Sequence, residues 1–363
     1  MEKKRVMFLF GGVSPEHGVS LVSAQAVMEA VDGTKYEVVP VGITEDGRWF
    51  YYTGALDAVS TGEWIHDGAH LTPAMLSADR GVGGLYLFSE DGRYEVMAID
   101  AVFPVLHGKN GEDGTVQGLV TLAGLPLIGC GVLASALCMD KYRAHELAEK
   151  GGVCVPRSAR FGVSGKKEAC AAAQAMDLPL FIKPVKAGSS FGITKVRRRE
   201  QIADAVALAF SYDDEIVVEQ CIEGFEVGCA VMGDPDRGEL TVGRVDEIEI
   251  PGGFFDFTEK YTLKGSKIYM PARIDAETEA RVRAVAARLY RILGCRGFAR
   301  VDMFLTPSGE VVFNEINTIP GFTSHSRFPG MMAGIGMSFD RVVNTAIADA
   351  FEACACEREG ATV

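Results

Sequence analysis

The chain has 363 residues, of which 48% are hydrophobic and 23% charged, and its formal net charge is -13. This length fits two or three domains, and the apolar content is enough to fill several cores. The negative charge excludes a broad nucleic-acid or anionic-membrane surface, because such surfaces need a basic stripe. The nine cysteines are odd in number, lack CxxC spacing and follow no signal peptide, so we expect reduced thiols in a cytoplasmic protein.

The first part of the chain, residues 1–130, has the pattern of an open α/β sheet domain. A strand-like run at 6–10 leads into two glycines, and residues 14–30 then have the spacing of a capped helix. Alternating strands and helices of this kind predict a sheet with functional loops at its strand ends. Further elements are expected at 37–43, 101–106, 115–123 and 125–128.

One uncharged segment, residues 119–139, is long enough to span a bilayer. Glycine and proline interrupt it at four positions, and no aromatic belt flanks it. We therefore predict a buried helix, a short strand and a second helix, and no membrane span.

Two further α+β domains are predicted, at 131–215 and 216–355, followed by a loose tail at 356–363. The first contains an Ala-rich helix, a strand, a glycine loop, another strand and a helix. The second contains long strands, a Gly/Phe-rich connection at 251–265 and a long helix at 275–293. The expected fold is therefore a three-domain α/β and α+β protein.

A hairpin near the end of the third domain gathers hard oxygen atoms. If residues 308–309 form a two-residue turn, Asp302 lies opposite Glu315 and Arg300 lies opposite Asn317. Because strand side chains alternate with period two, these four share one face. The hairpin therefore predicts a carboxylate pair, an amide and a guanidinium at one surface of the sheet.

This cluster favours a divalent cation, because two close carboxylates repel each other unless a cation lies between them. Val301 and Ile316 would point the other way, into a core. Oxygen ligands without His or Cys suit Mg²⁺ or Mn²⁺, and Mg²⁺ held by few protein ligands usually shares its shell with phosphates. Two alternatives remain: Arg300 forms a surface salt bridge with the acids, or a bulge at Gly309 shifts the register.

A second loop is suited to phosphate. No GxxxxGK[ST] motif occurs, which excludes a P-loop ATPase, but Lys183 and Lys186 flank a loop with Gly188, Ser189 and Ser190 between two predicted strands. Such a loop can direct backbone N–H groups at phosphate oxygens. A plain flexible loop with solvated lysines is the alternative. A competing dinucleotide motif, GxGxxA at 129–134, is weak because the strand before it is short.

Taken together, these features resemble the ATP-grasp fold. The features are the Lys183 strand with its glycine loop, Glu219, Glu226 and the oxygen ligands of the hairpin. Segments 10–20, 107–114 and 317–326 resemble D-alanine–D-alanine ligases, in the right order over nearly the whole chain. A closer resemblance, to D-alanine–D-serine ligases of the VanG type in glycopeptide resistance, rests on segments 186–192, 253–261 and 323–327.

The resemblance implies ATP and Mg²⁺ as cofactors, with two metal ions expected and Mn²⁺ as an alternative. Lys141 and Lys183 would contact the ATP phosphates, and Lys260 would join them from the loop at 251–265. Gly188, Ser189 and Ser190 would cover the phosphates. The remaining nucleotide contacts would come from Glu226, at the ribose hydroxyls, and from the residues that flank adenine, Glu219, Gln220, Cys221 and Ile222.

The resemblance also implies roles in the reaction. Glu16 would hold the ammonium group of the first D-alanine, and Tyr261, on a mobile loop at 251–265, would link to Glu16 and Ser189. Arg300 and the backbone of Gly321 would face the oxyanion. Ser326 would bind the carboxylate of the second amino acid, and the metal ligands would be Asp302, Glu315 and Asn317.

Three positions depart from the common ligase pattern. Gly18 replaces an acidic residue and Phe257 replaces a frequent tyrosine. Arg327 stands where D-alanine–D-alanine ligases usually have an apolar residue, so it could contact a seryl hydroxyl; its alternative is a solvated or carboxylate-pairing arginine. His17, His107 and His325 have no assigned role, and the base for the attacking amine is unassigned.

The resemblance implies an ATP-dependent ligase that joins D-alanine to D-serine through D-alanyl phosphate, giving ADP and phosphate. It would act in peptidoglycan precursor synthesis and vancomycin resistance, as a cytoplasmic homodimer without nucleic-acid or membrane partners. The nearest alternative is a D-alanine–D-alanine ligase of the same mechanism. Alternatives of other classes are an NAD-dependent dehydrogenase using 129–134 and a nucleotide-binding regulator without turnover.

Overall fold

The computed structural model describes residues 2–188, 191–249 and 267–360, with side chains up to residue 355. Several predictions from the sequence lie outside these ranges: Ser189, Ser190, Lys260, Tyr261, Phe257 and the loop at 251–265. The described residues form three sheets with helices packed against them, which agrees with the mixed α/β and α+β class expected from the sequence.

The N-terminal sheet has seven strands in the described ranges, in the order β6-β5-β4-β3-β2-β1-β7. Strand β1 pairs in parallel with β2 and β7, and the remaining pairs are antiparallel. The strands are β1 (Lys4–Gly11), β2 (Tyr36–Ile43), β3 (Trp49–Tyr52), β4 (Leu71–Leu76), β5 (Gly84–Phe88), β6 (Tyr94–Ala98) and β7 (Ala101–Pro104). The helices along this part of the chain are α1 (His17–Glu29), α2 (Asp57–Thr61) and α3 (Thr115–Ala123), with short 3-10 turns at Glu63–His66 and Gly68–His70.

The uncharged segment at 119–139 has the two predicted helices, but the short strand expected between them is reduced to one isolated bridge. It contains the end of α3, a single bridge from Leu127 to Val102, and helix α4 (Val132–Met139). No helix within the described ranges is both long and apolar enough to cross a bilayer.

A four-stranded sheet follows, in the order β10-β9-β11-β8 among the described residues. Helix α5 (Lys141–Lys150) precedes it and is capped by Asp140, whose side chain accepts a hydrogen bond from the backbone N–H of Arg143. The elements of the sheet are β8 (Ser158–Gly162), α6 (Lys166–Ala175), β9 (Leu180–Pro184), β10 (Thr194–Val196), α7 (Ile202–Ala209) and β11 (Glu215–Gln220), with 3-10 turns at Val163–Gly165 and Arg199–Gln201.

The third sheet has the order β14-β13-β12-β15-β16 in the part of the chain that the structure describes. All of its neighbouring strands are antiparallel. Its elements are β12 (Phe225–Met232), β13 (Thr241–Glu249), β14 (Lys267–Tyr269), α8 (Ala276–Ile292), β15 (Phe298–Leu305), β16 (Val311–Asn317), α9 (Arg327–Ala333) and α10 (Phe339–Gly360). One apolar core lies under this sheet and includes Val301 and Ile316, as predicted.

The hairpin register at the predicted metal ligands is confirmed, but the predicted turn is wrong. Asp302 pairs with Glu315 and Arg300 with Asn317. The tip is closed by hydrogen bonds from Thr306 to Glu310 rather than by a two-residue turn at 308–309, and Gly309 has a φ of 81°. The loop is thus one residue longer than expected. A register shift after Asp302 compensates, so the pairing at the site is unchanged.

Candidate functional site

A cavity of about 680 Å³ lies where the N-terminal end of α1, the loop after β7 and the exposed face of the third sheet meet. Residues that the sequence analysis assigned to seven different roles line this one cavity. They are Glu16, Lys141, Gly188, Glu226, Arg300, Asp302, Glu315, Asn317, Gly321, Ser326 and Arg327.

One row of residues crosses four strands of the third sheet at the floor of the cavity. Asp246 on β13 pairs with Gly228 on β12, which pairs with Asp302 on β15, and Asp302 pairs with Glu315 on β16. Because directly opposed residues share a face, the row brings three carboxylates onto one surface. Concentrated negative charge of this kind requires cations.

The carboxylate of Asp302 is the centre of the polar network. Arg300 Nη2 donates to Asp302 Oδ2 at 2.7 Å, and Asn317 Nδ2 donates to the same oxygen at 2.8 Å. Arg327 Nη1 lies 3.3 Å from Asp302 Oδ1. The Arg300–Asp302 ion pair therefore exists, but the Asp302 side chain is only 2% exposed, so it is not the surface salt bridge that the sequence left open.

Arg327 is a buried, carboxylate-pairing arginine, with a side chain 9% exposed. Its Nε and Nη2 atoms donate to the two oxygens of Asp246 at 2.7 and 2.8 Å, and its Nη1 donates to Glu226 at 3.3 Å. Burial lowers the pKa of Arg327, but Asp246 and Asp302 outweigh burial and raise it well above its ordinary value. Arg327 thus stays charged, and the solvated alternative is excluded.

Gly228 makes room for this guanidinium. A Cβ at position 228 would lie 2.7 Å from Asp246 Oδ1 and would overlap Arg327 Nη2. Only a residue without a side chain allows Arg327 to lie across the row between Asp246 and Asp302.

The oxygen atoms present fit a hard divalent cation. Asp302, Glu315 and Asn317 supply carboxylate and amide oxygens on one face, without nitrogen or sulfur ligands between them. Lys141 Nζ, from α5, lies 3.6 Å from Glu315 Oε2, so a cationic group also borders this face. No cluster of three or more His, Cys, Asp or Glu residues with metal-site geometry occurs in the described ranges. A divalent cation at this site would therefore need the Asn317 amide oxygen and ligands from outside the protein in addition to the two carboxylates.

The opposite wall of the cavity holds a second pair of carboxyl groups, Glu16 and Glu112. Glu112 Oε2 accepts from the N–H of Gly108 at 2.8 Å, and its Oε1 accepts from the N–H of Ile319 at 3.1 Å. His107 Nδ1 lies 2.9 Å from the carbonyl of Ile319, and burial lowers the pKa of His107. Two side chains thus hold both backbone groups of Ile319, two residues before Gly321.

The glycine loop approaches this wall. A Cβ added to Gly188 would lie 2.8 Å from Glu16 Oε2, so the end of the described part of the loop lies against the predicted ammonium-binding carboxylate. Lys141 Nζ donates to the carbonyl of Ala187 at 2.8 Å and fixes the same loop. Beyond Gly188, residues 189 and 190 are not described.

Burial, with the nearby carboxylate of Glu16, raises the pKa of Glu112 from its ordinary value of 4.5 to about 8. At a pH between these two pKa values, Glu112 keeps a proton in the folded protein that it has lost in the unfolded chain. The free energy of unfolding should therefore fall as the pH rises through this window, by at most about 1.4 kcal/mol per pH unit. Glu112→Gln cannot ionise, so its stability relative to wild type should rise from pH 5 to pH 8.

Urea unfolding of both proteins across this pH range measures the difference. Glu149→Gln, an exposed change on α5, is the control and should follow wild type. Parallel pH dependences of Glu112→Gln and wild type would show that Glu112 is not the titrating group.

Five predicted site residues do not line the cavity. Lys183 Nζ donates to Glu219 Oε1 at 2.7 Å, and both side chains are buried. Gln220 ends β11 and its N–H donates to the carbonyl of Arg157, while Cys221 and Ile222 follow the strand. Their nucleotide roles remain predictions.

Ser326, which does line the cavity, lies at the start of α9, and its Oγ is 2.8 Å from Thr323 Oγ1.

The sequence analysis did not identify Asp246 or Glu112 as site residues. The only signal for Glu112 was its position in the segment 107–114, which had been used for the resemblance. Asp246 gave no local signal, because its importance follows from pairing across three strands.

The competing dinucleotide motif is contradicted by its packing. A Cβ added to Gly297 would lie 2.8 Å from the Cα of Gly129, and Cys130 Sγ donates to the carbonyl of Arg296. The loop at 129–134 thus packs against the start of β15 instead of presenting its amides to a pyrophosphate.

Comparison with known proteins agrees with this geometry. Residues 5–130 match the family model for the D-ala D-ala ligase N-terminus, and residues 153–348 match the model for the D-ala D-ala ligase C-terminus. The solved structure of the VanG D-Ala:D-Ser ligase from Enterococcus faecalis is 53% identical, with a TM-score of 0.89 and coverage of 96% of this chain and 100% of that chain.

Two relatives are similar over their whole length. The vancomycin B-type resistance protein VanB of Enterococcus faecalis is 43% identical, over 97% of this chain and 100% of its own. A D-alanine–D-alanine ligase of Caldicellulosiruptor bescii is 41% identical, over 97% of this chain and 96% of its own. Ligases of this kind have the ATP-grasp fold, so the predicted fold class is confirmed.

Proposed function

We propose that this chain, which belongs to the D-alanine–D-alanine ligase family, joins D-alanine to D-serine. Members of the family are ATP-dependent, ADP-forming ligases that use divalent metal ions, and this chain is a ligase of that kind acting on small amino acids. The proposal concerns the second substrate. The observation that carries it is the buried guanidinium of Arg327, held at the cavity by Asp246 and Glu226.

A fixed guanidinium can select for a hydroxyl. Arg327 has N–H donors that a seryl side chain could accept from, and Asp246 and Asp302 keep the group oriented. Ser326, the preceding residue, would hold the carboxylate of the second amino acid, which places the side chain of that substrate near Arg327. The guanidinium already contacts Asp246, Glu226 and Asp302, so an alanyl methyl would only lack the additional contact that a seryl hydroxyl makes, which favours serine over alanine.

The remaining residues would serve the shared reaction. ATP would supply the phosphoryl group that activates the first carboxylate as D-alanyl phosphate and would leave as ADP, and Mg²⁺ would neutralise negative charge on the phosphates. Asp302, Glu315 and Asn317 would hold the metal, and Lys141 and Lys183 would meet phosphate oxygens. Glu16 would hold the ammonium of D-alanine. Arg300 and the N–H of Gly321 would stabilise the oxyanion that forms when the second amine attacks, with roughly 3 to 4 kcal/mol from one well-placed donor.

Several finer points belong to the same proposal. These are two Mg²⁺ ions per site, a homodimer in the cytoplasm, the domain division at 131 and 216, and a role in peptidoglycan precursor synthesis and vancomycin resistance. The resistance role is supported by the similarity to the vancomycin resistance protein VanB. The two-ion site is supported by the charge of the floor row, where Asp302 and Glu315 face each other.

A product assay tests the choice of substrate. The purified chain, given ATP, Mg²⁺, D-alanine and an excess of D-serine, should form mainly the alanyl-seryl dipeptide by mass spectrometry. D-alanine alone is the control and should give a slower alanyl-alanyl product. Exclusive formation of the alanyl dipeptide in the presence of excess D-serine would establish a D-alanine–D-alanine ligase instead.

A further inference from the structure

Strand β16 contains one residue more than β15 at the cavity. Asp302 pairs with Glu315, but its neighbour Met303 pairs with Phe313, so Asn314 is an extra residue in the ladder. In a regular strand, Phe313 and Glu315 would share a face, because side chains alternate with period two. Because Asn314 is an extra residue between them, Phe313 and Glu315 lie on opposite faces of the sheet.

The burial of β16 shows the reversal. Phe313 and Ile316 belong to the same apolar core although they are an odd number of residues apart. Without the bulge, Ile316 would leave this core, and Glu315 and Asn317 would turn into it. The bulge therefore decides which residues of β16 face the cavity.

His145 holds the bulge from the side. This residue lies on α5, with a side chain 3% exposed, and its Nε2 is 2.7 Å from the carbonyl oxygen of Asn314. The His145 ring also packs edge-on against Phe313, with ring centroids 5.3 Å apart. One side chain thus contacts both the extra residue and the core residue before it.

The hydrogen bond defines the tautomer of His145. Burial lowers the pKa of His145, against the opposing effect of Glu219, so the ring is neutral and carries one N–H. A carbonyl oxygen cannot donate, so the proton must be on Nε2. Glu219 Oε2, 3.7 Å from Nδ1, then faces an unprotonated nitrogen, in agreement with its lack of a hydrogen-bond partner among the described residues.

We propose that His145 is a positioning residue for the metal-binding side of the site. By donating to Asn314, it keeps the bulge in place and so keeps Glu315 and Asn317 turned to the cavity. Lys141, one helical turn earlier on the same face of α5, lies 3.6 Å from Glu315 Oε2, so the helix supports both the strand and its carboxylate. The inference rests on the proposed metal-binding role of Glu315 and Asn317, and is independent of the choice of D-serine.

Two substitutions separate the hydrogen bond from the packing. His145→Leu removes the hydrogen-bond donor but retains a side chain that can pack against Phe313. His145→Gln offers an amide N–H near the position of Nε2. Mn²⁺ binding to the full chain with excess ADP, followed by electron paramagnetic resonance, should weaken by about 10- to 100-fold in His145→Leu. His145→Gln should recover most of that loss. The kcat should follow Mn²⁺ affinity, while the KM for the first D-alanine stays near wild type.

Control variants separate the positioning role of His145 from the assignment of Glu315 as a metal ligand. Tyr142→Phe, also on α5, keeps a ring that packs against Arg160 of β8 and should leave Mn²⁺ affinity unchanged. A His145→Leu protein that is less stable but binds Mn²⁺ like wild type would overturn the positioning role. If Glu315→Gln also binds Mn²⁺ like wild type, the assignment of the metal ligands fails; if it loses Mn²⁺ while His145→Leu retains it, only the role of His145 fails.

Discussion

Glu315→Gln should reduce ligase turnover by on the order of 10²- to 10³-fold, the scale expected when one group that stabilises transition-state charge is lost. The substitution keeps the shape of the side chain but removes the charge that faces Asp302 across the hairpin. Dipeptide and ADP should be measured together, so that contaminating ATPase activity is recognised.

The matched control for this change is Glu310→Gln. Glu310 is exposed at the tip of the same hairpin, away from the cavity, and its replacement should leave turnover unchanged. Near-wild-type dipeptide formation by Glu315→Gln would contradict the proposed metal site. A folded Glu315→Gln protein with an unchanged melting temperature and turnover reduced to that extent is the expected outcome.

Arg327→Leu should lower the free energy of unfolding by roughly 3 to 5 kcal/mol, because it leaves Asp246 buried without its counter-charge. The same change should remove the preference for D-serine, since the donors that would face the seryl hydroxyl are lost. Thermal or urea unfolding measures the first effect, and the ratio of seryl to alanyl dipeptide measures the second.

A double substitution separates the two effects of Arg327. In Asp246→Asn/Arg327→Leu, the buried charge is removed while Asn can still accept the 3.0 Å hydrogen bond from the N–H of Gly228. Stability should largely return, and serine selectivity should not. Arg341→Leu, an exposed change on α10, is the control for losing an arginine. Retained serine preference in the double variant would show that Arg327 does not set specificity.

The sequence predicted the pairs at the site correctly, although one step in the argument was wrong. The longer loop at the hairpin tip shifts the pairing by one residue, and Asn314 shifts it back, so Asp302 still meets Glu315. A change of apolar spacing from two to three between Phe313 and Ile316 was the available signal for the bulge. The alternation of side chains along each strand was sufficient to predict which residues face the cavity, but not to predict the length of the turn.

What the sequence did not reveal depends on contacts between distant segments. Glu112 owes its raised pKa to burial and to the carboxylate of Glu16, and it accepts a hydrogen bond from the N–H of Ile319, 207 residues away; none of these contacts is local in the sequence. Asp246 meets Arg327 only because β13, β12 and β15 are neighbours in one sheet. Strand order is not written in local periodicity, so these partners became visible only in the folded chain.

The proposed role of Arg327 in substrate choice depends on two positions that lie on separate elements. The guanidinium of Arg327 occupies the space that Gly228, on β12, leaves empty. In a relative with a bulkier residue at 228, the side chain of an arginine at 327 would have to adopt a different conformation. The proposed use of D-serine would therefore require both positions together, and Arg327 introduced alone into an alanine-using ligase should not confer it.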